Sequence, residues 1–177
     1  IPQTCSEKRK YIPIGFLNPD TVISNAARVI YTSELTLFAV IISRMHIVWV
    51  RAVAGRLKMD MQYSNTLCYN TFPFPTITQQ QKSELEKHVH NVLEQRAKHT
   101  EKTLAELYDP EDMPEGLLLA HKNLDIAIEQ CYRAKPFESD EERLTYLFKM
   151  YEEMIEAEKT KGTLFAPEPK IKKSKKK

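Results

Sequence analysis

From Glu34 to Val53 the chain reads "ELTLFAVIISRMHIVWVRAV", a stretch apolar on nearly every side. That density predicts a buried helix, opened by Ser33 as N-cap and closed by Gly55 beyond its end. The polar pair Ser43–Arg44 interrupts the apolar run and predicts a break into two helices. Upstream, "YIPIGFL" (Tyr11–Leu17) and "AARVIYT" (Ala26–Thr32) carry the composition of short strands, with the turn signal "NPD" (Asn18–Asp20) between them. Downstream, "GRLKMDMQYS" alternates strictly: Lys58, Asp60 and Gln62 interleave with Met59, Met61 and Tyr63. Period two predicts a strand over Arg56–Tyr63, with a cation, an anion and an amide on one face. A further strand is expected over Thr66–Asn70. "FPFP" (Phe72–Pro75) admits neither helix nor central strand and closes this unit.

Past Pro75 the period becomes helical. Thr78 with Gln81 forms a capping-box pattern opening a helix to about Lys98, with Leu85, Val89, Val92 and Leu93 as its stripe. "TLAELYDP" predicts a short helix stopped by Pro110. Pro114 begins the next helix, to about Tyr132, with Leu117, Leu118, Leu124, Ile128 and Cys131 inward. Ser139 with Glu142 suggests a second capping box, for a helix to about Lys161 that Gly162 ends. Leu144, Leu147, Phe148, Tyr151 and Ile155 face inward there. The expected architecture is α+β: a mixed α/β unit over 1–75, a small helical bundle over 76–165, and a disordered Lys-rich tail over 166–177.

Charge sharpens this division. Residues 1–75 carry eight Lys/Arg against four Asp/Glu, residues 76–167 twelve against nineteen, and residues 168–177 six against one. A basic first unit suits a polyanionic partner; an acidic second unit does not. Ordinary solvated surfaces would account for both. The chain opens on Ile1 rather than Met, so a segment of a longer polypeptide is expected. The longest apolar run, Leu35–Ile42, is too short to span a bilayer, and no signal peptide is visible, so no membrane partner is expected. Cys5, Cys68 and Cys131 are widely spaced and read as structural thiols in a reducing, cytoplasmic setting.

Catalytic patterns are not found. Glycines occur only at 15, 55, 116 and 162, and none forms a phosphate-cradling loop. His88 and His90 lie two apart on a helix and so point to different faces. "NPD" lacks the second proline and the aromatic of an adenine-methyltransferase "NPP[YF]" motif. His46, on the apolar helix, reads as a core or interface residue. Trp49, Ile47 and Val50 are expected to pack that helix onto the sheet.

Five segments, in order, resemble one family: "SEKRKYIPIGFL" (6–17), "SRMHIVWVRAVAGRL" (43–57), "YSNTLCYNTFPFP" (63–75), "LYDPEDMPEGLLLAHKNLD" (107–125) and "RLTYLFKMYEEM" (143–154). They are similar to the C-terminal third of the MmeI-type, or type IIL, fused restriction–modification enzymes. "FPFP" followed by a Gln-rich helix start also resembles the end of recognition domains in type I specificity subunits. The resemblance implies that residues 1–75 are the latter part of a target recognition domain and 76–165 a helical C-terminal domain. It implies a parent that methylates adenine N6 with S-adenosylmethionine and needs Mg for cleavage, the catalytic domains lying outside this segment. The segment itself would be non-catalytic and hold no cofactor. Its partners would be double-stranded DNA and the methyltransferase domain upstream in the same chain.

By the same resemblance, Lys58 and Asp60 match positions that set which base pair is accepted. Gln62 matches a further specificity position, and Ala26 the partner of that position. The chemistry agrees: Lys donates to guanine O6 and N7, Asp accepts from cytosine N4, and Gln does both toward adenine. A Lys–Asp surface ion pair would satisfy the residues alone. Arg51 and Arg56, beside the turn, and Lys8, Arg9 and Lys10 are assigned to phosphate contacts, which set affinity and register without reading sequence. A helical protein-interaction module that docks a methyltransferase or another subunit is the alternative reading.

Overall fold

The computed structural model describes residues 1–160. The Lys-rich tail and Gly162 lie outside the described residues. In order, the elements are β1 (Thr4–Cys5), α1 (Leu35–Ile41), α2 (Arg44–Val53), β2 (Gly55–Leu57), β3 (Asp60–Gln62), a π-helical turn (Asn65–Tyr69), α3 (Gln79–Ala97), α4 (Leu104–Leu107), α5 (Glu115–Tyr132) and α6 (Asp140–Thr160). A three-stranded antiparallel sheet in the order β1-β3-β2 is followed, among the described residues, by helices alone from residue 79 to residue 160, an α+β architecture.

The long apolar stretch does break at Ser43, and α1 and α2 meet at 55°. Ser43 turns its hydroxyl back onto the Val40 carbonyl at 2.6 Å and so caps nothing downstream. The first amide of α2 is satisfied from elsewhere: Arg44 N donates to Asp125 Oδ1 of α5 at 2.6 Å. A carboxylate at a helix N-terminus also meets the positive end of the helix dipole. At the other end of the stretch, α1 begins at Leu35 with Glu34 as N-cap, so Ser33 is not the cap; Thr32 Oγ1 accepts from Glu34 N instead. No single described helix is long and apolar enough to cross a membrane. The apolar faces of α1 and α2 form the centre of the core, with Ala39, Met45, Ile47, Trp49 and Val50 at most 1% exposed.

Three expected strands are corrected. Tyr11–Leu17 is extended but pairs with no strand. Pro13 removes a donor, and Ile14 N folds back to Ile12 O at 2.9 Å, the short-range bond of a γ-turn. The segment is a strap laid on the helices: Ile14 O accepts from Arg96 Nη1 of α3 at 2.8 Å, and Tyr11 Oη donates to Asp125 Oδ2 at 2.6 Å. Ala26–Thr32 touches the N-terminal segment through a single bridge, Pro2 to Ala27. Thr66–Asn70 is helical, with Asn70 N donating to Asn65 O at 2.8 Å, the i→i+5 bond of a π turn. Only Cys68 of that turn is buried, so a strand-like alternation of buried side chains never arises.

The helical part follows the sequence more closely. Thr78 and Gln81 close their reciprocal capping box, and Thr103 and Glu106 close another at α4. At α6 the box is only half formed. Ser139 Oγ accepts from Glu142 N at 3.1 Å, but the Glu142 carboxylate accepts from Glu138 N and from Arg133 rather than from Ser139. Helices α3 and α5 pack on each other and on α1, while α6 packs on α2. Trp49 accordingly meets Phe72, Phe148 and Tyr151, at ring distances of 6.3, 5.1 and 5.5 Å, rather than the sheet.

One buried polar network ties the strap to the helices. Arg96 is 9% exposed and donates to Ile14 O and, through Nε at 2.9 Å and Nη2, to Tyr108 Oη. Its guanidinium lies 5.0 Å from the Tyr108 ring and 5.7 Å from the Phe38 ring. Tyr108 Oη, already accepting from Arg96, gives its proton to His121 Nε2 at 2.6 Å, and the His121 ring stacks on Tyr11 at 4.2 Å. Burial holds His121 and His46 neutral, with both pulled down to about 3. Burial pushes the Asp125 carboxyl up to about 7, against the Tyr11 and Arg44 hydrogen bonds that favour its charged form.

These shifts act on stability in opposite senses. The Asp125 value lies above that of a free carboxyl. Its contribution is therefore complete below about pH 4 and lost as pH rises through about 7, at up to about 1.4 kcal/mol per pH unit. The two histidines lie below their free value of about 6.5, so theirs is complete above that pH and lost as pH falls toward 3. In Asp125→Asn only the histidine part remains. Urea unfolding midpoints should show the variant gaining on the parent sequence between pH 4 and pH 7. A difference that stays flat across that window would rule out a proton on Asp125.

Candidate nucleic-acid interface

The alternation in "GRLKMDMQYS" is split by a turn. Strand β2 ends at Leu57 and β3 starts at Asp60, so Lys58 and Met59 form a two-residue hairpin loop. Lys58 has φ 56°, the left-handed region that glycine normally supplies at the first position of such a loop. The expected single strand over Arg56–Tyr63 is therefore a hairpin. Lys58 stands at its tip, and Asp60 and Gln62 stand on the returning strand. Pairing sets the faces: Gly55 opposes Gln62, Leu57 opposes Asp60, and Thr4 of β1 opposes Gln62. Asp60 and Gln62 thus share the outer face with Thr4 and Leu57. Met61 and Cys5 share the inner face, at 0% and 5% exposure.

The hairpin is open from Gly55 to Met59, every residue of which is exposed. Leu57 and Met59 keep 59% and 65% of their surface in solvent, so Met59 does not join Met61 and Tyr63 inward as expected from period two. Among the described residues no ion pair joins Lys58 to Asp60 and none involves either, so the surface-pair explanation of this motif does not apply. The tip presents a cation, an anion and two apolar side chains. A protruding two-stranded ribbon of this kind is narrow enough for a major groove of about 12 Å.

Arginines hold the hairpin in place. Arg56 donates to Arg51 O at 3.0 Å and to Met59 O at 3.3 Å, and its guanidinium lies 3.4 Å from Glu7. Arg51 donates to Arg9 O at 2.9 Å and lies 3.7 Å from Asp140 of α6. Arg9 in turn donates to Ala105 O in α4 at 2.9 Å. Much of the donor capacity of these three is committed to the fold. Lys8 and Lys10 are exposed and make no ion pair among the described residues. The basic group is thus two layers, a bracing layer of arginines and an outer layer of lysines.

Ala26 is exposed at the far side of β1. Its carbonyl accepts from Gln3 N at 2.9 Å, and Gln3 O accepts from Tyr63 N at 2.7 Å, so one residue of the N-terminal segment lies between Ala26 and β3. The structure therefore brings Ala26, Asp60 and Gln62 to one sheet region, with Lys58 at its tip. His46 is enclosed, with Nε2 3.0 Å from Tyr63 Oη and its ring edge-on to Phe72 at 4.7 Å. It belongs to the core, as expected. Sequence reasoning passed over Thr4, which shares the outer face; two residues of strand gave no signal.

Comparison with known proteins bears on this geometry. Residues 1–76 match the family described as MmeI, target recognition domain, and residues 77–157 match MmeI, C-terminal domain. The chain is 50% identical over 156 residues to DNA methyltransferase A of Bacillus subtilis (strain 168), covering 88% of this chain and 18% of that protein. It also superimposes, with a TM-score of 0.85 and 38% identity, on a solved structure of the type IIL restriction–modification enzyme MmeI in complex with DNA. That match covers 88% of this chain and 21% of the other. The chain spans about a fifth of the length of each of these relatives. With two consecutive domain families matched from residue 1 to residue 157 and the fold shared over 88% of its length, the chain belongs to the MmeI-type restriction–modification family, in its target recognition and C-terminal domain regions.

Proposed function

We propose that this segment is the sequence-reading part of a site-specific DNA adenine-N6 methyltransferase of the restriction–modification type. The observation that carries it is the exposed hairpin, which offers Lys58 and Asp60 free of ion pairs among the described residues, with Gln62 on the same returning strand, beside an outer layer of lysines. Lys58 addresses guanine, Asp60 cytosine N4 and Gln62 adenine, with Ala26 leaving room beside Gln62. Arg51, Arg56 and Arg9 fix the hairpin and give their remaining donors to phosphates; Lys8 and Lys10 contact phosphates from the surface. Residues 1–75 form the latter part of the recognition domain, and 76–165 the domain that seats it against the methyltransferase domain upstream. S-adenosylmethionine, and Mg for any cleavage, act in the parts of the parent outside this segment.

The test is duplex binding by the full-length protein as a function of salt. Lys8→Ala and Lys10→Ala should each lower the salt slope by about one phosphate and weaken all sequences alike. Arg51→Ala and Arg56→Ala should do the same and also lower stability, because each releases a carbonyl contact that positions the hairpin. Salt-independent binding, or a lysine variant that changes the preferred sequence with its slope intact, would overturn the assignment. A docking role for the helical unit has its own support: Leu119 and Ile126 lie two turns apart on α5, each 58% exposed.

A further inference from the structure

Among the described residues the Gln62 side chain has one partner on the outer face. Its Nε2 donates to Thr4 Oγ1 at 2.9 Å, across the register pair that joins β1 to β3. The end of a glutamine side chain is otherwise loosely held, because its terminal torsion is broad and twofold. A free Gln62 could turn either its carbonyl or its amino group toward a base and would discriminate poorly. The N–H anti to the carbonyl can serve Thr4 and leave the syn N–H and Oε1 together on one edge of the amide. That edge is the one that pairs bidentately with adenine, donating to N7 and accepting from N6. Thr4 is exposed, and its hydroxyl has no other hydrogen-bond partner among the described residues, so this contact is not needed to build the sheet.

We infer that Thr4 is a positioning residue for base recognition, holding the Gln62 amide edge-on so that Gln62 selects adenine. The inference rests on the reading of Gln62 as a base contact. Thr4→Val keeps the shape and the strand preference of the side chain and removes the acceptor. Thr4→Ser keeps the hydroxyl.

The experiment selects bound duplexes from a randomised library with the full-length protein, its Thr4→Val, Thr4→Ser and Gln62→Ala variants, and sequences them. Gln62→Ala should abolish the preference for adenine at one position. Thr4→Val should reduce that preference about tenfold, the worth of one hydrogen bond, and leave other positions and the unfolding midpoint unchanged. Thr4→Ser should behave like the parent sequence. If Gln62→Ala alters no position, the base-reading role of Gln62 fails. If Gln62→Ala alters one position and Thr4→Val leaves it intact, the positioning role of Thr4 alone is overturned. Loss spread evenly over all positions in Thr4→Val, or a lowered midpoint, overturns it as well.

Discussion

Exchanging the charges at the hairpin, with Lys58→Glu and Asp60→Arg together, should turn over one base pair of the recognised sequence and leave the others unchanged. Lys58 only donates, and ionised Asp60 only accepts. Together they suit one orientation of a G·C pair, with Lys58 toward guanine and Asp60 toward cytosine N4. The exchange moves the donor and acceptor to opposite ends, so the flipped C·G pair should be preferred. At roughly 1–3 kcal/mol for each contact, the preference should move by about a hundredfold. The fold should tolerate the pair, since neither residue is in an ion pair among the described residues and the tip is exposed. Either single variant should bind poorly, because it sets two like charges against base edges that can satisfy only one. Sequencing of duplexes bound by the full-length protein gives the answer. An unchanged preference in a double variant that still binds would mean that the hairpin tip does not read bases.

Arg96→Leu should lower stability by about 2–4 kcal/mol, the largest loss expected among the arginines. The residue is buried without a carboxylate partner among the described residues; the Ile14 carbonyl, the Tyr108 hydroxyl and two aromatic faces stabilise its charge. Leucine would leave the carbonyl and the hydroxyl without their donor and free the strap from α3. Arg96→Lys should recover only part of the loss, because one ammonium cannot reproduce the planar fork that reaches both acceptors. Urea midpoints measure this, and a change within about 0.5 kcal/mol for Arg96→Leu would show that the network contributes little.

The helical half was legible because its period, caps and stops agree. Leu85, Val89 and Val92 are buried as their spacing requires, and Thr78 with Gln81 marks the start of α3. The mixed half was less so. Extended composition at Tyr11–Leu17 does not say what an extended segment pairs with, and its partner, Arg96, lies 82 residues from Ile14. The hairpin was hidden because a two-residue loop preserves the alternation of the strands it joins, and Lys58–Met59 carries none of the usual glycine or asparagine signals. His121 and Asp125 of α5 were passed over, although each falls on the same buried stripe as Leu117, Leu124 and Ile128. A polar residue in step with an apolar stripe was the available sign of a buried network. The residues proposed to read bases came from the family resemblance joined to side-chain chemistry, and Thr4 emerged only from strand register.

The left-handed backbone at Lys58 also bears on how such a module changes its target over evolutionary time. A position at φ 56° does not accept all amino acids equally. Glycine, asparagine and aspartate enter at least cost, unbranched chains such as lysine, glutamate and arginine at a moderate one, and valine, isoleucine and threonine at the highest. The backbone therefore screens the side chains available at the tip before any base is met. Donors and acceptors pass this screen, while the branched chains suited to a thymine methyl are held back. New specificities at this position should accordingly arise through hydrogen-bonding side chains that read guanine, cytosine or adenine more readily than through branched chains packed on a thymine methyl, a bias in the drift of recognition that originates in one torsion angle.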